Sequence, residues 1–191
     1  MKKILITGAG GIGGVNFVRA LKIFKDKFFI VGLDFNKYYL EFPDVDVRVN
    51  SPRHSDPNFI KLLHELIEKN KIDFLHPHPS SEALVVSQNL DSIKTKTLLP
   101  KPNIISTDKL KTQKILSDSG VNVAQTKTFE NLNSIQTSFE ELGGGPLWIR
   151  AKSGAGGNLS LLCSEPKEVE YWMKLWILRG KANIDDFMLQ Q

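Results

Sequence analysis

The stretch Ile4–Lys22, ILITGAGGIGGVNFVRALK, decides how the first half of the chain is read. Ile4–Thr7 is a short apolar run. Gly8, Gly10 and Gly13 follow it in the spacing G-x-G-x-x-G, and Gly8, Gly11 and Gly14 also fit G-x-x-G-x-x-G. From Gly13 to Phe24 apolar residues return with helical period. Strand, tight glycine turn and helix, in that order, open a doubly wound α/β sheet. Such a turn presents helix N-terminal N–H groups to an anion. Asp34 lies about 20 residues past it, where an acidic residue would hold the ribose of a dinucleotide.

Other residues weigh against nicotinamide chemistry. A short-chain dehydrogenase or epimerase would need Tyr-x-x-x-Lys, but Tyr38, Tyr39 and Tyr171 are followed four places on by Phe42, Pro43 and Leu175. No Lys-Ser/Thr follows the loop, so it is not a Walker A turn. A glycine turn also serves close helix–strand packing without any ligand.

The strand–helix alternation continues. Phe28–Leu33 reads as a strand ending at Asp34, Asp44–Asn50 as an edge strand of period two, and Asn58–Lys69 as a helix with Phe59, Leu62, Leu63, Leu66 and Ile67 on one face. IDFLHP is a strand, Ser81–Leu90 a helix, and Ile104 and Ile105 close the series. Continuous apolar strands between helices predict a parallel sheet covered on both faces. LLPKPNIIST is the junction. Beyond it, Thr107 or Asp108 caps a helix that Gly120 ends. TKTF is a short strand, Asn133–Leu142 a helix, Glu165–Arg179 a tryptophan-bearing helix and FMLQ a last strand. LWIRAK and LSLLC form a hairpin around a second glycine loop, SGAGGN. In this loop glycines bring backbone N–H donors close to phosphate oxygens, beside Arg150 on a rigid strand.

Composition is that of a soluble globular protein, with 191 residues, 41% hydrophobic and 24% charged. The net charge of +4 comes from scattered lysines, with no basic run interleaved with aromatics, so no nucleic-acid partner is expected. No apolar stretch reaches membrane-spanning length, and a cytoplasmic location is expected. A single cysteine, Cys163, excludes an intramolecular disulfide and cysteine-built metal sites, and reads as a buried thiol. His76 and His78 of HPHP share one side of an extended chain, with Glu82 opening the next helix. A proline-shaped loop lip fits them, and so would metal binding or a substrate anion, although no further His or Cys lies nearby in sequence. Trp148, Trp172 and Trp176 read as packing residues rather than as a stacking platform.

From Asp108 onward the chain resembles the first half of an ATP-grasp domain. DKLKTQKILSDSGVNVAQT (Asp108–Thr126) is similar to the family's opening helix pattern. PLWIRAKSGAGGN (Pro146–Asn158) is similar to its strand ending in Lys or Arg before a glycine loop, with Arg150 as in the carbamoyl-phosphate synthetase large subunit. FMLQQ (Phe187–Gln191) is similar to the strand that ends beside the adenine. Asn158 and Leu159 stand where many relatives carry a basic residue and another glycine. The N-terminal unit resembles the pre-ATP-grasp domain.

The resemblance implies a Rossmann-like parallel sheet (pre-ATP-grasp) over residues 1–106, followed by an α+β ATP-grasp subdomain over 107–191. It implies an N-terminal part of an ATP-dependent carboxylate–amine or ammonia ligase acting through an acylphosphate. Its substrates would be small-molecule carboxylates and amines, with ATP and Mg²⁺ as cofactors and the metal ligands in a further C-terminal half. Lys109, Arg150 and Lys152 would meet the phosphates. Ser153, Gly154, Ala155, Gly156 and Gly157 would form the lid, and Gln190 would lie beside the adenine. Gly10, Gly11, His78 and Glu82 would face the acceptor substrate. Two alternatives stay open: an NAD(P)-binding oxidoreductase or epimerase, and a non-catalytic nucleotide-binding subunit. A homo-oligomer fits any of these.

Overall fold

The computed structural model describes residues 1–24, 27–154, 157 and 159–191. The chain divides into two compact units, Met1–Ser106 and Thr107–Gln191.

In the first unit, β1 (Lys2–Thr7), β2 (Phe28–Asp34), β3 (Val47–Asn50) and β4 (Phe74–Pro77) form one parallel sheet in the order β3-β2-β1-β4. Alternation along β1 explains its unbroken apolar run. Ile4 and Ile6 face a core with Ile30, Val18 and Val45, and α1 (Ile12–Lys22) covers this side. Leu5 faces the opposite core, with Val31, Leu33 and residues of α2 (Asn58–Asn70) and α3 (Ser80–Gln88). A strand buried on both faces is apolar at successive positions, not only at alternate ones.

The period-two segment from Asp44 is shorter than its pattern. Only Val47–Asn50 pairs as a strand. Val45 turns into the core beside α1, and the Asp46 carboxylate accepts the Ile30 N–H at 2.7 Å. Ile104 and Ile105 are helical, in the single turn α4 (Pro102–Ile105), because Pro102 supplies the fixed φ of a first helical residue.

The second unit is an antiparallel sheet in the order β5-β8-β6-β7, from β5 (Thr126–Thr128), β6 (Leu147–Ala151), β7 (Leu161–Cys163) and β8 (Phe187–Gln190). Leu147, Ile149, Cys163, Phe187 and Leu189 face a core closed by α6 (Ile135–Glu141) and α7 (Pro166–Leu178). Cys163 is fully buried there. Burial, with the nearby Glu168 charge, pushes its thiol up to about 11, against a smaller downward pull from a backbone hydrogen bond at Ile149. Trp172 and Trp176 pack edge to face at 5.6 Å against this core. α5 (Lys109–Asp118) starts at Asp108, whose Oδ1 accepts the Lys111 N–H at 2.8 Å. Among the described residues no helix is long and apolar enough to cross a membrane.

Candidate functional site

In the first unit the glycine turn is closed by the chain's own residues. Gly8 adopts φ +58°, and a Cβ there would meet Pro79 at 2.3 Å. A Cβ on Gly10 would lie 2.5 Å from the Tyr39 backbone, and one on Gly13 would lie 1.9 Å from His78 Nε2. The glycines thus admit the segments after β2 and β4. Asp34 is 4% exposed, and its carboxylate is already engaged: it accepts Gly10 N–H at 3.1 Å and Asn36 N–H at 2.9 Å. In this role it ties β2 to the turn.

Of the residues expected at an acceptor substrate, Gly10 and Gly11 line a cleft of about 580 Å³ with Ile12, Arg19, Tyr39 and Phe42. No side chain caps the α1 N-terminus beside it. His78 is exposed against Gly13, and its ring centroid lies 5.8 Å from that of His76. His76 stacks on Phe17 at 4.1 Å, and burial followed by the His78 charge lowers its pKa. Glu82 does not join the cleft. It is 4% exposed, with Oε2 buried and unpartnered near Gly8. Burial raises its pKa to about 7. The Thr7 hydroxyl opposes part of that rise without reaching hydrogen-bond geometry, and the Asp34 charge adds to it.

In the second unit one face of the sheet lies away from α6 and α7. Register sets Thr126, Gln190, Trp148 and Leu162 in one transverse row, with Arg150 opposite Met188 in the next. Arg150 NH1 donates to Gln190 Oε1 at 3.0 Å, and Gln190 Nε2 donates to Thr126 Oγ1 at 3.4 Å. Arg150 Nε is buried without a partner.

Lys109 stands at the head of α5, where its backbone N–H donates to Lys152 O at 2.9 Å. Its ammonium donates to Gly154 O at 2.8 Å and Lys152 O at 3.5 Å. Burial, then the Arg150 charge, lowers the Lys109 pKa, and Asp108 opposes them. Among the described residues no carboxylate pairs with Lys109, Arg150 or Lys152. The arrangement suits a polyanion: cations held close enough to repel, an orphaned guanidinium N–H, and a glycine loop with Ser153, Gly154 and Gly157 exposed. Ala155 and Gly156 lie outside the described residues. Among those described, no group of three or more His, Cys, Asp or Glu residues could hold a metal.

Sequence reasoning misjudged Trp148, which was expected to pack. It is 46% exposed, opposite Leu162 at 49%. Strand alternation was the available signal: Trp148 and Arg150 share a face, and Leu147 and Ile149 take the core.

No family model matches the chain, and no curated protein matches it. Its fold is shared with solved ATP-grasp enzymes, a biotin carboxylase domain among them. The N5-carboxyaminoimidazole synthetase of Staphylococcus aureus, solved with ADP, superposes over 100% of this chain and 47% of its own, with TM-score 0.63 and 18% identity. The L-amino acid ligase of Bacillus licheniformis superposes over 100% and 44%, with TM-score 0.62 and 13% identity. The biotin carboxylase domain of the Hydrogenobacter thermophilus 2-oxoglutarate carboxylase, solved as a dimer with MgADP, ADP and bicarbonate, superposes over 99% and 44%, with TM-score 0.59 and 16% identity. The chain spans under half the length of each of these structures.

Proposed function

We propose that the chain is part of an ATP-dependent carboxylate–amine ligase of carbamoyl-phosphate synthetase type, and that its second unit holds the nucleotide phosphates. The observation that carries this reading is the pair Lys109 and Arg150 at the root of the second glycine loop, without a carboxylate partner among the described residues.

In such a reaction a carboxylate oxygen attacks the γ-phosphorus of ATP and ADP leaves. The amine then attacks the acyl carbon of the acylphosphate, and inorganic phosphate leaves. Arg150 and Lys109 neutralise charge on the phosphate oxygens, and Lys152 adds a third cation beside them. Phosphate binding would draw the Lys109 ammonium from the Gly154 carbonyl to the stronger acceptor. Ser153, Gly154 and Gly157, with Ala155 and Gly156, would cover the phosphates. Gln190 would lie beside the adenine while holding Arg150. Mg²⁺, when bound, would offset charge on the β- and γ-oxygens.

The first unit would receive the acceptor at Gly10, Gly11 and His78, with Glu82 beneath the turn. Asp34 is 4% exposed and its carboxylate already accepts two backbone N–H groups, which disfavours the dinucleotide alternative.

The test is ATP turnover by the intact protein with carboxylate and amine substrates, comparing wild type with Arg150→Ala. A rise in KM for ATP, or a fall in kcat, of tenfold or more supports the reading. Unchanged kinetics would remove Arg150 from the site.

A further inference from the structure

α7 has two faces. Val169 and Met173 are fully buried in the core of the second unit. On the opposite side Tyr171, Leu175 and Leu178 are 66%, 38% and 86% exposed. At 3.6 residues per turn these three fall within about 60° of one another, so they form one apolar stripe along the helix. Exposed apolar residues scattered singly need no explanation, but a contiguous stripe marks a docking surface.

The stripe runs into a groove. At the C-terminal end of α7, Ile177 and Leu178 meet Leu132 and Ile184 around a cavity of about 730 Å³, with Glu130 and Asp185 in its lining. Both carboxylates are exposed, and among the described residues neither has an ion-pair partner. At the N-terminal end Lys167 is exposed and equally unpaired, on the same flank of the helix as the groove. Between them Lys174 is neutralised by Glu170. Unpaired positive charge thus stands at one end of the stripe and unpaired negative charge at the other.

Such a face complements itself when turned end for end. A two-fold axis between Lys174 and Leu175 would set Tyr171 against Leu178 of a second copy, and Lys167 against the second copy's Glu130 and Asp185. A parallel pair would set Lys167 against Lys167. Helix dipoles also favour the antiparallel choice.

We propose that the outer face of α7 pairs antiparallel with the same face of a second copy of this chain, with Lys167 of each copy at the acidic groove of the other. The helix has 13 residues and is about 20 Å long. One helix pair of that length buries less than the roughly 1,200 Å² of a stable interface, so the dimer is weak and concentration-dependent. The inference does not depend on the nucleotide reading.

Sedimentation equilibrium of the full chain tests it, from about 10 μM to about 500 μM, the range in which weak association shows. The proteins are wild type, Leu178→Ser, Lys167→Glu, Asp185→Lys and the double variant Lys167→Glu/Asp185→Lys, with a thermal melt of each. The expected result is a reversible monomer–dimer equilibrium in wild type that Leu178→Ser weakens about tenfold or more. Each single charge reversal weakens it about fivefold, because every contact occurs twice in a two-fold dimer. The double variant, in which the signs are exchanged, returns to within about threefold of wild type. Should Leu178→Ser lower the melting temperature, the charge exchange decides alone. A wild type that stays monomeric at the highest concentration overturns the proposal and leaves the stripe to a different partner. A dimer that none of the variants weakens is built on another surface. Losses that add in the double variant show that Lys167 and Asp185 do not face each other, and the antiparallel pairing falls.

Discussion

Arg150 on β6 and Gln190 on β8 are joined diagonally across their strand pair by a 3.0 Å hydrogen bond, and a second bond ties Gln190 to Thr126 on β5. Three strands thus fix one guanidinium. Gln190→Ala should therefore leave the charge and lose the orientation, weakening MgADP by several-fold. Gln190→Glu should weaken it by about tenfold or more, because a carboxylate so placed pairs with the cation that the phosphates need. Calorimetry on the two variants checks the order. A glutamate variant as tight as wild type would place the phosphates elsewhere.

Glu82 predicts a pH dependence of stability. Its folded pKa, about 7, is raised above the unfolded value of 4.5 by burial. The folded state therefore binds the proton more tightly. The stability linked to this group is fully present below pH 4.5 and is lost as pH rises through 7, by on the order of 3 kcal/mol. Glu82→Gln should flatten that part of the profile. Urea unfolding of both proteins at pH 5.5 and pH 8 measures it. Equal slopes in wild type and variant would contradict the buried, uncharged carboxyl.

Asp34 and the glycine turn predict stability effects without a dinucleotide. Asp34→Ala strands the buried Gly10 N–H and should cost about 1–3 kcal/mol. NAD should not raise the melting temperature of wild type. A rise of several degrees that Asp34→Ala abolishes would restore the dinucleotide reading. Gly10→Ala drives a methyl group into the Tyr39 backbone and should destabilise by about 1–3 kcal/mol. Gly13→Ala first meets the exposed His78 ring, which can swing aside, so its stability cost should be smaller.

Cys163 should resist alkylation in the native protein, since its thiol is buried and its pKa is about 11. Iodoacetamide labelling with and without denaturant checks this. Rapid native labelling would contradict the burial.

The alternating pattern was legible in the sequence because strand period and helix period differ, and because β1 and β2 are apolar on both faces. Asp44–Asp46 misled because period two is blind to a carboxylate that takes a neighbouring strand's N–H, as Asp46 takes that of Ile30. Ile104 and Ile105 read as a close to the strand series until Pro102 is seen to start a helical turn. The cations and the glycine loop could be read from local order. The use of Asp34, and the seating of Tyr39 on Gly10 and of His78 on Gly13, could not. Each depends on contacts between segments far apart in the chain, and spacing carries no such information.

The central claim is that Arg150 and Lys109 hold the phosphates of a nucleotide. Its most direct test is equilibrium dialysis of MgADP against the intact protein and its Arg150→Ala and Lys109→Ala variants. Saturable binding that falls tenfold or more in each variant is the predicted result. Binding of equal strength in all three proteins would contradict it.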